Sequence, residues 1–400
     1  MSKTRILLLR TNRVDPDPRV EKEVNSLLKD NNLSIEVLAW DRGDNYEYRK
    51  EYLHLANGDA IIHRIGVKAG WGVGLKKNAT AFVKYTWKTF RWLFSHQKDY
   101  DIIHACDLHT IIPSIIPIKI FHKKFVYDIY DFFSDTAHGN SLVLKLSKSL
   151  ETKVINEADA TIVCSEKRIE QIRPAKPKRL YVIHNAPSLS QVNIQKRDCN
   201  ICKSSNTRPK VVYVGNLVED RCIDLIIESA RKCPDIEFHV GGIGKLEYYV
   251  QNASSEMTNL FYYGRMDYKD VLALEIECDI MIALYDQNVP NHRFAAPNKF
   301  YEAIAMGKPL VMLHNTGVDG FIDEYDLGVT VEQTPEGVVT GLNQLIERRN
   351  DWTEMSLRAK NLYYTNFCWE IMEQRLYDMY SDIVGVNKDE KCCSSNSEFQ

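Results

Sequence analysis

Three polar side chains lie close together in the segment APNKFYEAIAMGKPLVM, residues 296–312: Asn298, Lys299 and Glu302. A lysine beside the exposed backbone N–H groups of a helix start attracts an anion. A carboxylate one turn later accepts hydrogen bonds from hydroxyl groups. This combination suits a phosphorylated sugar or a nucleotide, and an ordinary surface helix start is the alternative.

A short helix must position these side chains. Pro297 suits its first turn, and Gly307 suits its end before an apolar strand at Val311 and Met312. The pattern therefore predicts a helix over residues 298–305, which places the polar groups in its first turns.

The composition indicates a folded protein of two domains. The chain has 400 residues, of which 44% are hydrophobic and 26% charged. Its formal net charge of -3 argues against nucleic acid as a partner. The apolar run near the amino terminus covers only residues 6–9, so we expect no signal peptide or membrane span there and a cytoplasmic location.

The ten cysteines indicate a reducing compartment. Cys106 and Cys164 lie within apolar runs, as reduced core thiols do. Cys199 and Cys202 form a single C-x-x-C pair, for which a zinc or redox role is the weaker alternative.

Short apolar runs alternate with helical spacing along the chain, which predicts two parallel, doubly wound sheets. The first set of runs lies at 5–9, 35–40, 101–105, 125–130, 160–164 and 180–184. The second set lies at 211–215, 236–241, 259–263, 279–285, 309–313 and 328–331.

These sets predict a domain over 1–190, a linker over 191–209 and a second domain over 210–366. We expect a helix at about 367–385 to pack back on the first domain and the tail 386–400 to be disordered. A ligand is expected in a cleft between the domains, beyond the carboxyl ends of the strands.

Nine segments in this order resemble the two-domain glycosyltransferases of the GT-B fold. The likeness is to the family 4-like group, which includes bacterial capsule, exopolysaccharide and O-antigen sugar transferases. The resemblance implies an α/β protein with two Rossmann-like domains facing a central cleft. The segments are DPRVEKEVNSL (17–27), DIIHACDLHT (101–110), VYDIYDFFSD (126–135), ADATIVCSE (158–166), VIHNAP (182–187), VVYVGNLVEDRCIDLII (211–227), VGGIG (240–244), YYGRM (262–266) and PNKFYEAIAMGKPLV (297–311).

The resemblance implies that the second domain binds a nucleotide-diphosphate sugar. Glu302 would accept hydrogen bonds from the ribose hydroxyls, and Arg221 and Lys299 would hold the diphosphate. We expect the nucleotide of the donor to be uridine diphosphate, because it is the commonest one in such donors. The other donor-binding residues it implies are Gly215, Asn216, Gly242, Gly244, Arg265 and Asn298, and loop geometry alone is the alternative for the glycines.

The first domain is expected to bind the acceptor and supply a catalytic base. The candidates are His109 and Asp131, with Asp128 beside them, because imidazole and perturbed carboxyl groups can take a hydroxyl proton. Tyr130 stands where the family commonly has a histidine. The predicted acceptor-side residues are Asp17 and Arg19, and helix capping is the alternative for Asp17.

Two departures from the family pattern bear on the chemistry. Phe294 occupies the place of a second acidic residue, eight positions before Glu302. No Asp-x-Asp pair follows an evident strand of the second domain. With two cations for the diphosphate, this predicts metal-independent transfer without a resident cofactor.

A basic and aromatic segment, residues 76–98, is expected to contact the inner face of the cytoplasmic membrane. A lipid-linked or other glycan acceptor would be found there. The alternative is a core helix with a solvated cationic face. The predicted membrane-facing residues are Lys77, Lys84, Lys88, Arg91, Trp87 and Phe90.

Two other functions remain open from the sequence. A sugar-nucleotide epimerase of the same architecture would bind the same diphosphate. A membrane-docked protein that binds nucleotide sugar without turnover would also fit Phe294 and Tyr130. The segments DPRV, DLHT and YDIYD favour the transferase.

Overall fold

A computed structural model describes residues 3–70, 74–135, 142–192, 201–204 and 207–385. The predicted tail 386–400 and most of the predicted linker lie outside these ranges. The described residues form two compact units. The first unit contains the residues up to Ser134, 142–183 and those from Glu373 onward, and the second contains Asp135 and His184–Met372.

The first unit is built on an eight-stranded sheet among its described residues. Its strands are β1 (Thr4–Arg10), β2 (Leu33–Asp41), β3 (Tyr46–Leu55), β4 (Gly58–Gly66), β5 (Ile102–Cys106), β6 (Lys124–Ile129), β7 (Ala160–Val163) and β8 (Leu180–Val182). Its helices are α1 (Pro18–Leu27), α2 (Gly74–Ser95), α3 (Leu108–Ile120), α4 (Leu142–Glu157) and α5 (Arg168–Gln171).

The strand order of this sheet is β3-β4-β2-β1-β5-β6-β7-β8. All neighbours pair in parallel except β3 and β4, which form an antiparallel hairpin. All the strands predicted for the first domain are confirmed, and their apolar runs are buried in the sheet except in β8, which is half-buried. The hairpin was not predicted, since β3 is polar and mostly exposed.

The second unit contains a six-stranded parallel sheet in its described part. Its strands are β9 (Lys210–Val214), β10 (Glu237–Gly241), β11 (Leu260–Tyr262), β12 (Ile280–Ala283), β13 (Leu310–Leu313) and β14 (Gly328–Val331). Its helices are α6 (Leu189–Val192), α7 (Ile223–Lys232), α8 (Glu247–Glu256), α9 (Tyr268–Glu277), α10 (Asn298–Met306), α11 (Gly320–Tyr325), α12 (Pro335–Glu347) and α13 (Trp352–Leu362).

The order of this sheet is β11-β10-β9-β12-β13-β14, and the predicted strands are again confirmed. The last helix, α14 (Trp369–Val384), follows a π-helical turn at Tyr363–Phe367. Its residues from Glu373 onward belong to the first unit, where the Tyr380 hydroxyl and His104 Nδ1 share a hydrogen bond of 2.8 Å. No described helix is long and apolar enough to span a membrane.

Each sheet has one central point where the chain changes direction. In the first unit the chain leaves β1 toward β2 and later returns to the other side of β1 with β5. In the second unit it leaves β9 toward β10 and returns on the other side with β12. Crevices at such switch points, beyond the carboxyl ends of the strands, are where open α/β sheets bind ligands. The turns after β1, β5, β9 and β12 are therefore the places to look for function.

Candidate functional site

Lys299 lies directly over the turn that follows β9. A side-chain carbon on Gly215 would come within 2.8 Å of the Lys299 Nζ atom. The same ammonium group lies 4.8 Å from the centre of the Tyr213 ring. The switch point of the second unit therefore has a cation above Gly215, where no side chain fills the space, and the exposed Asn216 lies beside it; the Gly215 N–H itself donates to the Gly241 carbonyl over 3.0 Å. Such an arrangement can bind a phosphate group.

Gly242 and Gly244 hold the loop after β10 against the loop after β9. A side-chain carbon at Gly242 would lie 1.8 Å from the Gly215 carbonyl oxygen, and one at Gly244 would lie 2.3 Å from that of Leu217. Gly242 has a φ of +125°, and its N–H donates to the Gly264 carbonyl over 2.7 Å. Close loop packing therefore accounts for these glycines by itself, and their predicted contact with phosphate stays a prediction.

Arg221 ends a short 3-10 helix, Glu219–Arg221, and is held by groups that the sequence did not reveal. Its Nη1 donates to the His292 Nε2 over 2.9 Å, and its guanidinium carbon lies 4.3 Å from the centre of the Tyr285 ring. His292 Nδ1 donates in turn to the Asp286 carbonyl over 2.8 Å. Burial, with Arg221 as a second cause, lowers the pKa of His292. A neutral imidazole thus orients the guanidinium, while the Asp220 carboxylate, 3.3 Å from the same Nη1, offsets part of its charge. This role of His292 could not be predicted from the sequence, because a single histidine in a loop has no characteristic spacing.

The helix predicted from the opening segment is confirmed as α10. Asn298 is its first residue, and Gly307 ends it with a left-handed φ of 69°. Glu302 is buried, and its Oε1 accepts a hydrogen bond from the Tyr268 hydroxyl over 3.1 Å. Asn298 is exposed, and its side-chain oxygen accepts from Asn185 Nδ2 over 2.9 Å.

A second carboxyl group lies beside Glu302. Glu275 follows Tyr268 by seven residues on α9, so both side chains lie on the face that packs against α10. Glu275 is 1% exposed, and its Oε2 has no hydrogen-bond partner among the residues that the structure describes. Burial first, and the Glu302 carboxylate second, raise the pKa of Glu275 well above the usual value. Sequence reasoning did not identify Glu275, although the seven-residue spacing from Tyr268 was readable.

Arg265 is exposed on the turn after β11. It follows Gly264, whose left-handed φ of 66° shapes this turn and whose carbonyl joins it to Gly242. The turns after β9, β10 and β11 are therefore linked by backbone hydrogen bonds. Arg265 lies at the outer end of this linked set, whereas Lys299 lies over Gly215.

In the first unit, Asp107 lies at the switch point and was not among the predicted catalytic residues. Its backbone has a φ of 66°, which is unusual for a residue with a side chain. Its Oδ1 accepts hydrogen bonds from the Tyr130 and Asp131 N–H groups over 2.9 and 3.2 Å. Its Oδ2 lies 3.0 Å from Arg10 Nη1. Burial, only partly offset by Arg10, raises the pKa of Asp107 to about 6.

Asp128 and Arg19 form a buried ion pair beneath this position. Arg19 Nη2 lies 2.7 and 2.9 Å from the two carboxylate oxygens of Asp128, which is 0% exposed. The guanidinium groups of Arg19 and Arg10 lie over the Tyr130 ring, at 3.8 and 4.0 Å from its centre. These contacts favour structural roles for Arg19 and Asp128 over the predicted acceptor and catalytic ones.

Asp17 is also buried and caps the amino end of α1. Its Oδ1 accepts from the Val20 N–H over 3.4 Å, and its Oδ2 accepts from Arg10 Nε over 2.9 Å. Arg10 lowers the pKa of Asp17, although burial opposes this effect. The capping alternative therefore accounts for Asp17.

The two remaining base candidates differ in environment. His109 is half-buried, with the Phe82 and Phe133 rings packed edge-on at 5.1 Å from its own. Burial, with Arg42 as a second cause, lowers the pKa of His109 to about 4. Asp131 is exposed and lies 3.3 Å from Arg168 Nη2. At neutral pH His109 is therefore an uncharged, weak base.

One group within the described ranges has the spacing of metal ligands, namely His104, Cys106 and Asp128. Arg19 already occupies both oxygens of Asp128. Burial raises the pKa of Cys106 well above its usual range, so the thiol keeps its proton. A neighbouring guanidinium and a protonated thiol make this group a poor cation site.

All the predicted membrane-facing residues lie on helix α2. Trp87 is 59% exposed and Lys84 and Arg91 are exposed, whereas Phe90 is half-buried. Lys88 forms an ion pair with Glu47 over 3.0 Å. The side chain of Lys77 lies outside the described residues.

The sequence matches two glycosyltransferase families over most of its length. Residues 196–362 match the family of glycosyl transferases group 1, and residues 27–191 match glycosyltransferase family 4. The chain is also 23% identical over 242 residues to an uncharacterized glycosyltransferase, MJ1069, of Methanocaldococcus jannaschii. This match covers 58% of the chain and 60% of that relative, so the chain spans less than two thirds of the relative's length.

Two solved structures share the fold. The sucrose-phosphate synthase tll1590 of Thermosynechococcus elongatus superposes with a TM-score of 0.72 at 14% identity, covering 96% of this chain and 100% of that one. Alr3699/HepE of Anabaena, in complex with UDP and glucose, gives a TM-score of 0.66 at 14% identity, with 94% and 99% covered. With the two family matches and the two parallel sheets, these similarities establish that the chain belongs to the family 4-like glycosyltransferases of the GT-B fold.

Proposed function

We propose that the protein transfers a sugar from a nucleotide-diphosphate sugar, a UDP-sugar, to a glycan or lipid-linked acceptor in bacterial surface polysaccharide synthesis. The observation that carries the proposal is the position of Lys299 over Gly215 at the switch point between β9 and β12. A diphosphate there would meet the ammonium group, and Gly215 has no side chain to block its approach. The UDP bound to HepE, a protein of the same fold, supports uridine as the base.

Arg221 and Glu302 extend this donor site in the proposal. The guanidinium, oriented by His292, would offset the charge that develops on the departing nucleoside diphosphate. The Glu302 carboxylate, positioned by the Tyr268 hydroxyl, would accept hydrogen bonds from the ribose. Two protein cations serve the diphosphate in this scheme, so we propose that transfer needs no divalent metal.

The acceptor hydroxyl is proposed to lie near the carboxyl end of β5, with Asp107 as the base that takes its proton. A carboxyl group with a pKa of about 6 is ionised at neutral pH and remains basic enough to accept a proton. The Asp131 N–H donates to the Asp107 carboxylate, and the Asp131 side chain is exposed, so it could orient the same hydroxyl. His109 is the weaker base because of its lowered pKa.

Peripheral contact with the inner face of the cytoplasmic membrane is part of the proposal. The exposure of Trp87, Lys84 and Arg91 on α2 supports it, since such helices lie at anionic lipid surfaces. This position would bring the protein to a lipid-linked acceptor.

A donor panel tests the proposal. Purified protein would be incubated with UDP- and GDP-sugars and a membrane lipid extract, with and without EDTA, and release of nucleoside diphosphate measured. Release that requires the extract and survives EDTA is expected. Release without acceptor would instead indicate a hydrolase or an epimerase, and binding without turnover would contradict the transferase.

Matched variants locate the activity in the proposed site. The Glu302→Gln variant should release much less nucleoside diphosphate, because its amide N–H₂ group replaces one of the carboxylate oxygens that accept hydrogen bonds from the ribose hydroxyls. Glu354→Gln, at an exposed position on α13, should release nucleotide like the unmodified protein. Equal activity of both variants would contradict the role of Glu302.

A further inference from the structure

A groove of about 530 Å³ lies between α3 and α4 of the first unit. It is near the amino end of β6, at the opposite edge of the sheet from Asp107 and Asp131. Its position therefore separates it from the proposed transfer chemistry. Its apolar floor is formed by Ile111, Ile115, Ile118, Phe125, Leu150 and Val154.

Cations surround this apolar floor. Lys119 pairs with Glu157 over 3.1 Å, and the Lys178 ammonium donates to the Glu157 carbonyl over 2.7 Å. Lys153 is exposed and makes no ion pair or hydrogen bond with any described residue. The rim also includes His122 and the acidic Glu157 and Asp159, whereas the ammonium groups of Lys123 and Lys124 donate to the Tyr100 and Ile383 carbonyls. The rim is therefore suited to an anionic group.

The apolar floor continues outward along α4. Leu142, Leu146, Leu150 and Val154 follow one another at four-residue spacing and form one stripe on the helix. Val154 is 4% exposed, whereas Leu146 is 61% and Leu142 is 71% exposed. The stripe thus runs from the floor of the groove to a solvent-exposed apolar surface.

The outer surface around the groove is apolar or basic. Ile116 and Ile120 on α3 are 53% and 54% exposed, and Lys145 and Lys148 on α4 are exposed. Helix α3 contains no acidic residue, and the acidic residues of α4 are Glu157 and the buried Glu151. A small soluble anion would leave this apolar surface exposed to water, whereas the lipids of a membrane would cover it.

We propose that the groove between α3 and α4 binds an anionic phospholipid of the membrane, with an acyl chain along the Leu142–Val154 stripe and the phosphate at Lys119, Lys153 and Lys178. This site is separate from the donor and acceptor sites, and the inference does not depend on the transfer reaction. It places the outer face of α3 and α4 against the lipid surface.

Sedimentation of the full chain with vesicles tests this inference. Vesicles of phosphatidylcholine alone are compared with vesicles of equal parts phosphatidylcholine and phosphatidylglycerol. We expect preferential binding to the anionic vesicles. Because each basic residue near a lipid surface contributes about a fivefold change in affinity, Lys153→Glu should weaken binding on the order of thirtyfold. Lys50→Glu, an equal charge change at an exposed position on β3, should bind nearly as the parent does.

A second measurement tests the apolar floor and separates a lipid from a soluble anion. Calorimetry compares a short-chain phosphatidylglycerol below its micelle concentration with glycerophosphoglycerol, which has the same head group and no acyl chains. We expect the protein to bind the short-chain lipid and not glycerophosphoglycerol. The Leu150→Gln variant should no longer bind the lipid. Far-ultraviolet circular dichroism and thermal unfolding show whether each variant has folded.

Three results would overturn the inference. The first is equal binding to both kinds of vesicle. The second is equal loss of binding in Lys153→Glu and Lys50→Glu. The third is binding of glycerophosphoglycerol as tight as that of the lipid, which would indicate a simple anion site. Failure of the donor panel would leave these results unaffected, because neither measurement involves a nucleotide sugar.

Discussion

The Arg10 guanidinium and the Asp107 carboxylate lie 3.0 Å apart across the switch point of the first sheet. Arg10 ends β1, and Asp107 directly follows β5, the strand that pairs with β1 on the side away from β2. A second pair lies at the amino ends of the same two strands: Arg5 of β1 and Asp101, directly before β5, are 2.6 Å apart. The two pairs have the same chemistry at opposite edges of one sheet, which makes the second a control for the first.

Asp107→Asn should lower turnover by about 10²- to 10⁴-fold, the usual contribution of a general base. The acid must lose its proton to act, and burial raises its pKa to about 6, so kcat/KM should rise as the pH rises through about 6. The pH dependence of kcat/KM checks this. A rise near pH 4 would indicate His109 instead.

Asp101→Asn is the matched control for that measurement. It removes the partly exposed partner of Arg5, which should reduce the free energy of unfolding by at most about 1 kcal/mol. Turnover and its pH profile should be unchanged. If both variants lose turnover equally, Asp107 acts through the fold and not as a base.

Lys299→Met should reduce kcat/KM for the donor by about 10²-fold, because the cation over Gly215 would be lost while the length of the side chain is kept. Steady-state kinetics over a range of donor concentrations measure this. Lys269→Met changes an exposed lysine near the start of α9 and should behave as the parent. Equal kinetics of the two variants would contradict a phosphate contact by Lys299.

The sequence predicted the two sheets and α10 because their signals are local. Buried parallel strands appear as short apolar runs, and α10 has a proline before it and a glycine at its end. The β3–β4 hairpin was missed, since β3 is polar and mostly exposed, with one buried residue, Leu53.

The contacts of the candidate site were less predictable from the sequence. Arg10 and Asp107 are 97 residues apart and meet only through the order of the strands. Glu275 is buried because α9 packs on α10, and the type of residue gives no sign of this. The burial of Asp128 and Arg19 likewise depends on the pairing of elements distant in sequence.

Gly242→Ala should destabilise the second unit by about 2 kcal/mol or more. The added methyl group would lie 1.8 Å from the Gly215 carbonyl oxygen, at a φ of +125° that alanine rarely adopts. Thermal unfolding measures the loss. Gly320→Ala is the control, because its added carbon would have no neighbour within 4 Å. Similar melting temperatures for both variants would contradict the close packing of the loops after β9 and β10.

Glu275→Gln should increase the free energy of unfolding at neutral pH. Burial raises the pKa of Glu275 in the folded protein well above the ordinary value of about 4.5, at which it ionises in the unfolded chain. Above that pH the unfolded state binds fewer protons, so the carboxyl group costs the parent protein up to about 1.4 kcal/mol per pH unit until the folded pKa is reached. The glutamine variant lacks this cost. Its advantage in urea unfolding should therefore grow as the pH rises and vanish in acid, and a destabilised variant at every pH would show that Glu275 is ionised and paired in the folded protein.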